Sequence, residues 1–589
     1  MTMLSQAKAV LAALLILQAA GCGGGSSGGS AATPPPGDTP PATQRATAFG
    51  AVIGSDDSAY SGTYSWKGVP YAKAPVGDLR WTPPVDPDRW TTVRPARSFA
   101  AACVQSGRLY GPGQNNRYDA TIGAALGTTV GSEDCLYLNI WAPSAASASP
   151  RPVIVWVHGG SNITGYTADP VYDGAHLART ADAVVVSVNY RLGIFGWLNS
   201  APLKTGDPLG DSGNFAMLDM IQALKFVQGN IAAFGGDPRK VTLMGQSAGA
   251  VNVLALLTSP VVVQASPKLF HRLLPISGGI STAATIRTGG VPSVVPASVY
   301  AQQGDALLVQ ALIADGTAAN ATAAQAWVAA HTSAEAAAYL RGKTPDQLLS
   351  LVRGPLTTQN IAGSNPIPDG NVLPLDPIAA IRAGHYLKVP VLAGNTRDEV
   401  KLFPTLLVWL GAPSGRLLTD AQVFDIAFHY HPDLPATTTI QAWIPAFYLP
   451  VTSPTQGFNL YTDFLNQYWF IEGRNDMLNS LKMQQFEVWH YQFDWDEEPA
   501  PFNDIFGAAH AFDLPFVFGN FGPSLYANIT VTEANQAGRL ALSDAMMKTV
   551  GAFARTGDPN NAALGVQWNP WPSRLIFDAD ANATHIQAL

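Results

Sequence analysis

After its first residues the chain has no run of about 18 consecutive apolar residues, the length a helix needs to cross a bilayer, so no later membrane span is expected. Charge is scarce too. Only 13% of the 589 residues are Asp, Glu, Lys or Arg, and 34 basic against 42 acidic side chains leave a formal net charge of −8. A nucleic-acid partner would want a basic footprint, so that class is excluded. There is no His-Glu-x-x-His zinc signature and no internal repeat. Cysteine is limited to Cys22, Cys103 and Cys135. What remains, 47% hydrophobic and 10% aromatic, is the composition of a globular enzyme.

The N-terminus is separate from the fold. Lys8 precedes an apolar run at 9–20 that is too short to span a bilayer and ends in Ala19-Ala-Gly-Cys22, so residues 1–21 read as an export signal. Small residues before a cysteine resemble a bacterial lipobox, although Ala19 stands where that motif usually has leucine. The resemblance implies lipidation of Cys22, and ordinary signal cleavage is the alternative. The expected location is the outer membrane or cell surface as a lipoprotein, otherwise the periplasm or medium, with membrane contact only through that anchor. Residues 22–45 are Gly/Ser-rich, then Thr/Pro-rich, and read as a tether. In an oxidising compartment Cys103 and Cys135 favour a disulfide over two free thiols.

Residues 46–589 alternate strand-like and helical stretches. Apolar runs at 136–141, 152–157, 183–189, 241–244, 273–276, 389–393 and 488–493 read as strands, and 217–230 has helical spacing. Continuous apolar runs of this kind suit strands buried on both faces of a parallel sheet. The expected fold is therefore α/β: a twisted, mostly parallel sheet with helices on both faces. Residues 66–72 and the Pro-rich run to Pro84 read as an irregular lead-in. Two sections do not look like sheet: an Ala-rich helical one near 281–352, with a cap at Thr344-Pro-Asp-Gln347, and an aromatic-rich one at 403–470. Both read as cap insertions around a pocket.

The chemistry centres on Phe234-Gly-Gly-Asp-Pro-Arg-Lys-Val-Thr-Leu-Met-Gly-Gln-Ser-Ala-Gly249. An apolar strand, then Gly245-Gln-Ser-Ala-Gly249, then an apolar helical run is the context of a nucleophile elbow. There the serine sits on a strained strand-to-helix turn with its hydroxyl exposed, and glycines two before and two after avoid collisions. Ser247 is the candidate nucleophile. His158-Gly-Gly-Ser161 follows another buried strand, where an HGG-type loop can offer backbone N–H groups to a developing oxyanion.

These stretches together resemble the type-B carboxylesterase/lipase family, which includes the cholinesterases. Residues 234–249 fit its serine signature, and Glu133-Asp-Cys-Leu-Tyr-Leu-Asn-Ile-Trp-Ala-Pro143 fits its second signature. Smaller agreements run from Lys67-Gly-Val-Pro-Tyr-Ala72 to Phe553-Ala-Arg-Thr-Gly-Asp-Pro-Asn560, so the likeness covers the chain after the tether. It implies an α/β-hydrolase fold and a Ser-His-Glu triad of Ser247, His510 and Glu399, with oxyanion donors at Gly160, Ser161 and Ala248. Residue patterns alone could not choose His510 among ten histidines. The resemblance also implies a Cys103–Cys135 disulfide and a supporting role for Ser277. Val400 departs from the glycine that relatives carry after the glutamate.

The expected activity is hydrolysis of neutral carboxylic esters, small or polymeric, through an acyl-enzyme and without cofactor or metal. A triglyceride lipase is the alternative within that chemistry, and a non-catalytic cell-surface binding homologue the alternative outside it. Cholinesterase relatives hold a quaternary ammonium on a tryptophan in the first disulfide loop and carry glutamate before the nucleophile. The loop between Cys103 and Cys135 has no tryptophan, and Gln246 occupies the other position, so no preference for choline esters is expected.

Overall fold

A computed structural model describes residues 41–286, 292–359, 361, 363–435 and 437–589. The export segment, Cys22 and most of the tether lie outside the described residues. The compact unit runs from Ala42 to Leu589, slightly earlier than the tether boundary suggests. Gln44–Ala46 is already a short strand, paired antiparallel with Ala51–Ile53.

The central sheet is built from eleven strands among the described residues. In chain order they are β1 (Ser55–Asp57), β2 (Thr63–Pro70), β3 (Tyr137–Pro143), β4 (Arg151–Val157), β5 (Val184–Val188) and β6 (Gly236–Gln246). They continue as β7 (Arg272–Ile276), β8 (Val391–Thr396), β9 (Val488–Phe493), β10 (Leu575–Phe577) and β11 (Gln587–Ala588). Their order in space is β1-β2-β3-β5-β4-β6-β7-β8-β9-β10-β11. From β5 through β10 every neighbour is parallel, while β1, β2, β3 and β11 pair antiparallel at the two edges. This is the α/β-hydrolase fold.

Side-chain alternation along β4 explains why it reads as one unbroken apolar run. Val153, Val155 and Val157 enter one core with α2 (Phe215–Asn230) and α3 (Ala248–Thr258). Ile154 and Trp156 enter the opposite core with α1 (Ala175–Ala181) and α4 (Gln536–Thr556). A strand covered on both faces needs apolar side chains on both. Truncating one of these buried side chains to alanine costs about 2–5 kcal/mol. Packing therefore pins the sheet whose strand ends carry the site.

One sequence expectation changes. The stretch at 66–72, expected to be irregular, belongs mostly to β2, which pairs with β3 through a register break between Trp66 and Val69. Gly68, at φ +71, sits in that break, and a Cβ there would lie 2.6 Å from the Ser98 carbonyl. Gly and Pro near the break mask the strand pattern. The section at 281–352 is helical as expected, and its Leu349 and Val352 line a cavity with Arg108 and Ile163. Thr344 and Gln347 do form a capping box, but the section buries its small apolar faces against Trp81, Phe195 and Phe215. Among the described residues it supplies none of the lining of the catalytic cavity described next.

Candidate active site

The parallel strands deliver the candidate residues at their carboxyl ends, where open α/β sheets place their ligand sites. β6 ends at Gln246, and Ser247 follows at φ 57, ψ −125, a conformation that L-residues rarely adopt. Its N–H donates to the Ile276 carbonyl at 2.9 Å, which anchors the strained turn to β7. The flanking glycines have steric reasons. A Cβ on Gly245 would lie 2.5 Å from the Gly249 carbonyl, and one on Gly249 would lie 2.3 Å from that of Val157. Only glycine lets α3 leave the strand this tightly.

β8 leads into the turn that carries Glu399, a fully buried residue. Its Oε1 accepts from Asn395 Nδ2 and from the Thr396 N–H, each at 3.0 Å, and Oε2 lies 2.5 Å from His510 Nδ1. Burial alone would raise its pKa, but the facing His510 and these hydrogen bonds win and hold the carboxyl below its usual range. The Ser277 hydroxyl also favours the ionised form, without reaching hydrogen-bond geometry. Val400, which replaces the expected glycine, is fully buried in a 3-10 turn without positive φ, so a side chain is tolerated there.

His510 arrives on the long connection after β9. Asp398 fastens that connection to the acid turn: its N–H donates to the Ala508 carbonyl at 2.9 Å, and its Oδ2 accepts the Ala508 N–H at 3.0 Å. The rings of Phe403 and Phe470 lie 5.1 and 5.4 Å from the imidazole. Behind Glu399, the buried Arg474 reaches Asn395 Oδ1 at 3.4 Å and His490 Nε2 at 3.0 Å.

The loop after β4 supplies the third part. Gly160 and Ser161 take φ of +101 and +54, and their N–H groups, like that of Ala248, have no internal acceptor among the described residues. The loop is held from below. Asn162 exchanges side-chain amide hydrogen bonds with Asn252 at 2.7 and 3.2 Å, and the Tyr190 hydroxyl donates to the His158 carbonyl at 2.7 Å. His158 stacks on Tyr190, and burial lowers its pKa to about 4, so it is neutral and structural. A disulfide joins Cys103 and Cys135. Beside it, Gln105 Oε1 accepts from Thr164 Oγ1 at 2.8 Å and from the Gly165 N–H at 2.9 Å, which braces the same loop.

Ser247, His510, Gly160 and Ser161 all open onto one cavity of about 340 Å³. Phe403, Pro404, Thr405, Arg416 and Asp420 bring the 403–470 section into its wall. Arg416 pairs with Asp420 at 2.7 Å, whereas the Arg108 side chain, on the same wall, has no hydrogen-bond or ion-pair partner among the described residues. No group of three His, Cys, Asp or Glu converges on a metal position among them, and no helix there is long and apolar enough to cross a membrane.

The family profile described as the carboxylesterase family matches residues 41–587. The chain belongs to the carboxylesterase family. Para-nitrobenzyl esterase of Bacillus subtilis is 31% identical over 543 residues, 91% of this chain and 94% of that protein. Fumonisin B1 esterase of Sphingopyxis macrogoltabida is 32% identical over 535 residues, 90% and 84% of the two chains. Among solved structures, a Geobacillus stearothermophilus carboxylesterase superposes with TM-score 0.64 at 30% identity, covering 93% of this chain and 97% of its own. A PNB esterase does so with TM-score 0.67 at 28% identity over the same shares. The protein is a serine carboxylic-ester hydrolase.

Several residues of this carboxylesterase site escaped sequence reasoning. Asn162 and Asn252 carry no motif, and Tyr190, inside the family-like stretch Asn189-Tyr-Arg-Leu-Gly193, gave no hint of its contact with the His158 carbonyl. Asn395 and Arg474 are ordinary polar residues until β8 and the helix Glu472–Lys482 meet behind Glu399. Gln246 was visible only as the residue before the nucleophile, and its contact with His510 Nε2 at 2.9 Å was not.

Proposed function

We propose that Ser247, His510 and Glu399 are the triad of this esterase, and that it acts on carboxylic esters that need carry no charge. The buried 2.5 Å contact between Glu399 and His510, whose ring opens onto the same cavity as the strained Ser247, supports this reading most directly. With Glu399 ionised, the His510 proton resides on Nδ1, and Nε2 carries the lone pair that acts as base. Ser247 Oγ attacks the ester carbonyl as His510 Nε2 takes its proton. The carbonyl oxygen becomes an oxyanion held by the N–H groups of Gly160, Ser161 and Ala248. Nε2 then passes the proton to the leaving alcohol, and water repeats the cycle on the acyl-enzyme. Replacing Ser247 by alanine should abolish turnover of 4-nitrophenyl butyrate, by up to about a millionfold, with the thermal midpoint nearly unchanged. Substantial hydrolysis by the purified variant would remove the assignment.

Charge in the cavity wall bears on selectivity. Its single carboxylate, Asp420, is already paired with Arg416, and Arg108 adds a cation, so an ammonium group finds no free anion there. Butyrylcholine should therefore be no better a substrate than 3,3-dimethylbutyl butyrate, its uncharged isostere. A cation–π site would favour the charged ester by about 2 kcal/mol, roughly thirtyfold, and a preference of that size would contradict the reading. Export and lipid anchoring at Cys22 belong to the same proposal. Activity in the membrane fraction should become soluble in Cys22→Ala, and unchanged fractionation would refute the anchor.

A further inference from the structure

Gln246 makes a contact that the triad alone does not require. Its side-chain nitrogen lies 2.9 Å from His510 Nε2, the nitrogen that has to face the nucleophile. With Nδ1 bound to Glu399, Nδ1 carries the ring proton and Nε2 of the neutral ring is an acceptor, so the amide N–H is the donor. Among the described residues the hydrogen bond at His510 Nε2 comes from Gln246 and not from the Ser247 hydroxyl. The resting imidazole is thus held by the residue next to the nucleophile rather than by the nucleophile. Gln246 is only 3% exposed, and its Oε1 is wedged against Gly159, where a Cβ would come within 2.7 Å of it.

A primary amide has a property that other side chains of this length lack: one rotation exchanges its donor for its acceptor. Glutamate offers only acceptors when ionised, and methionine offers neither at useful strength. We propose that Gln246 is a positioning residue that serves both protonation states of His510. Its N–H donates to Nε2 of the neutral ring in the resting enzyme. After Ser247 has given up its proton, the turned amide presents Oε1 to the Nε2–H of the imidazolium. Gln246 gains and loses no proton: the Oγ–H bond of Ser247 breaks, the Nε2–H bond of His510 forms, and the oxygen's electron pair goes into the new bond to the acyl carbon. The amide serves both states without adding a charge, so the imidazolium is not held by a second carboxylate at Nε2 besides Glu399 at Nδ1, and it returns its proton to the leaving alcohol.

The other groups facing His510 are Glu399 at Nδ1 and the buried Asp513 of its own connection. Asp398 lies behind, joined to that connection through Ala508, with Arg474 beyond Glu399. Across the cavity stand Arg108, Arg416 and Asp420. None of these occupies the Nε2 side at hydrogen-bond distance, so a change at position 246 acts on that nitrogen separately.

The proposal rests on the triad reading, and its test separates the two. The pH profile of kcat/KM for 4-nitrophenyl butyrate is compared in wild type, Gln246→Glu and Gln246→Met, together with the 15N resonance of His510 Nε2. A carboxylate within hydrogen-bond reach of a titrating group shifts it by about 1–3 pH units. The acidic limb of Gln246→Glu should move up by that amount, with roughly tenfold to thousandfold lower kcat/KM below the limb and recovery at alkaline pH. The Nε2 resonance should change in Gln246→Met, even if the glutamate variant fails to fold. An acidic limb that stays in place in a folded Gln246→Glu, or an Nε2 resonance unchanged by methionine, would overturn the proposal. Turnover by Ser247→Ala would instead overturn the triad beneath it.

Discussion

The two sides of the proposed catalytic centre are built by different means. On the nucleophile side, Ser247 and its flanking glycines are contiguous, and backbone sterics hold them: Cβ atoms at Gly245 or Gly249 would meet carbonyl oxygens at 2.5 and 2.3 Å. On the acid side, Glu399 and His510 are 111 residues apart, and their loops are joined by Asp398 and Ala508, with Asn395 and Thr396 oriented on the carboxylate. The first side stores a strained backbone conformation that neighbouring backbone enforces. The second is an electrostatic assembly whose parts meet because β8 and β9 are paired in register. Damage to the backbone frame of the first should therefore appear in folding, and damage to the second in rate and pH response.

After loss of Ser247 itself, the largest expected effect is on the acid side. Glu399→Gln keeps the shape but removes the charge that fixes the His510 tautomer, and this exchange at a triad acid costs about 10⁴ in kcat. The thermal midpoint should change little by comparison, as steady-state kinetics and calorimetry on one preparation would show. A variant that loses stability and keeps its rate would invert the comparison. Next comes the disulfide beside the loop that follows β4. Replacing Cys103 and Cys135 by serine opens a loop of sequence separation 32, and chain entropy puts the loss at about 3–4 kcal/mol in unfolding free energy. Denaturant unfolding measures it, and kcat at temperatures where the variant stays folded should be nearly retained.

The smallest effect returns to the acid side and concerns pH. Burial, with the Glu399 charge behind it, pushes the Asp513 carboxyl from 3.8 up to about 7. Between those values the folded chain holds a proton there that the unfolded chain does not, so this group's contribution to stability falls as pH rises through the window. Asp513→Asn removes the titration and should flatten the decline, while its carbonyl can still accept from the Tyr491 hydroxyl, now 3.1 Å from Asp513 Oδ2. Glu399 has the opposite sign. Its depressed pKa contributes stability that is present above its unfolded value and lost as pH falls through the folded one. Thermal midpoints from mildly acidic to neutral pH would show whether the Asp513 slope disappears in the variant.

This division also explains what could be read from the sequence. The elbow was legible because its strand, its glycines and its helix are adjacent, and each has a local steric cause. The buried strands from β4 to β9 were legible because two covered faces demand unbroken apolar runs. β2 was not, since Gly68 and Pro70 interrupt its pattern at the register break. Glu399 and His510 could be named only through family resemblance, because sheet pairing rather than local pattern brings them together. The contacts of Gln246, Asn395 and Arg474 had no signal: a polar residue facing a buried partner looks the same in sequence as one facing water.

The central claim, a nucleophile at Ser247 driven by His510, is tested most directly by trapping the covalent intermediate. The enzyme is reacted with a slowly deacylating ester, quenched in acid, and the acylated peptide is mapped by mass spectrometry, with Glu399→Gln as a slowed control. The account predicts one acyl group per chain, on Ser247, forming much more slowly in the control. An acyl group on any other residue, or turnover without a trapped acyl-enzyme, would contradict it.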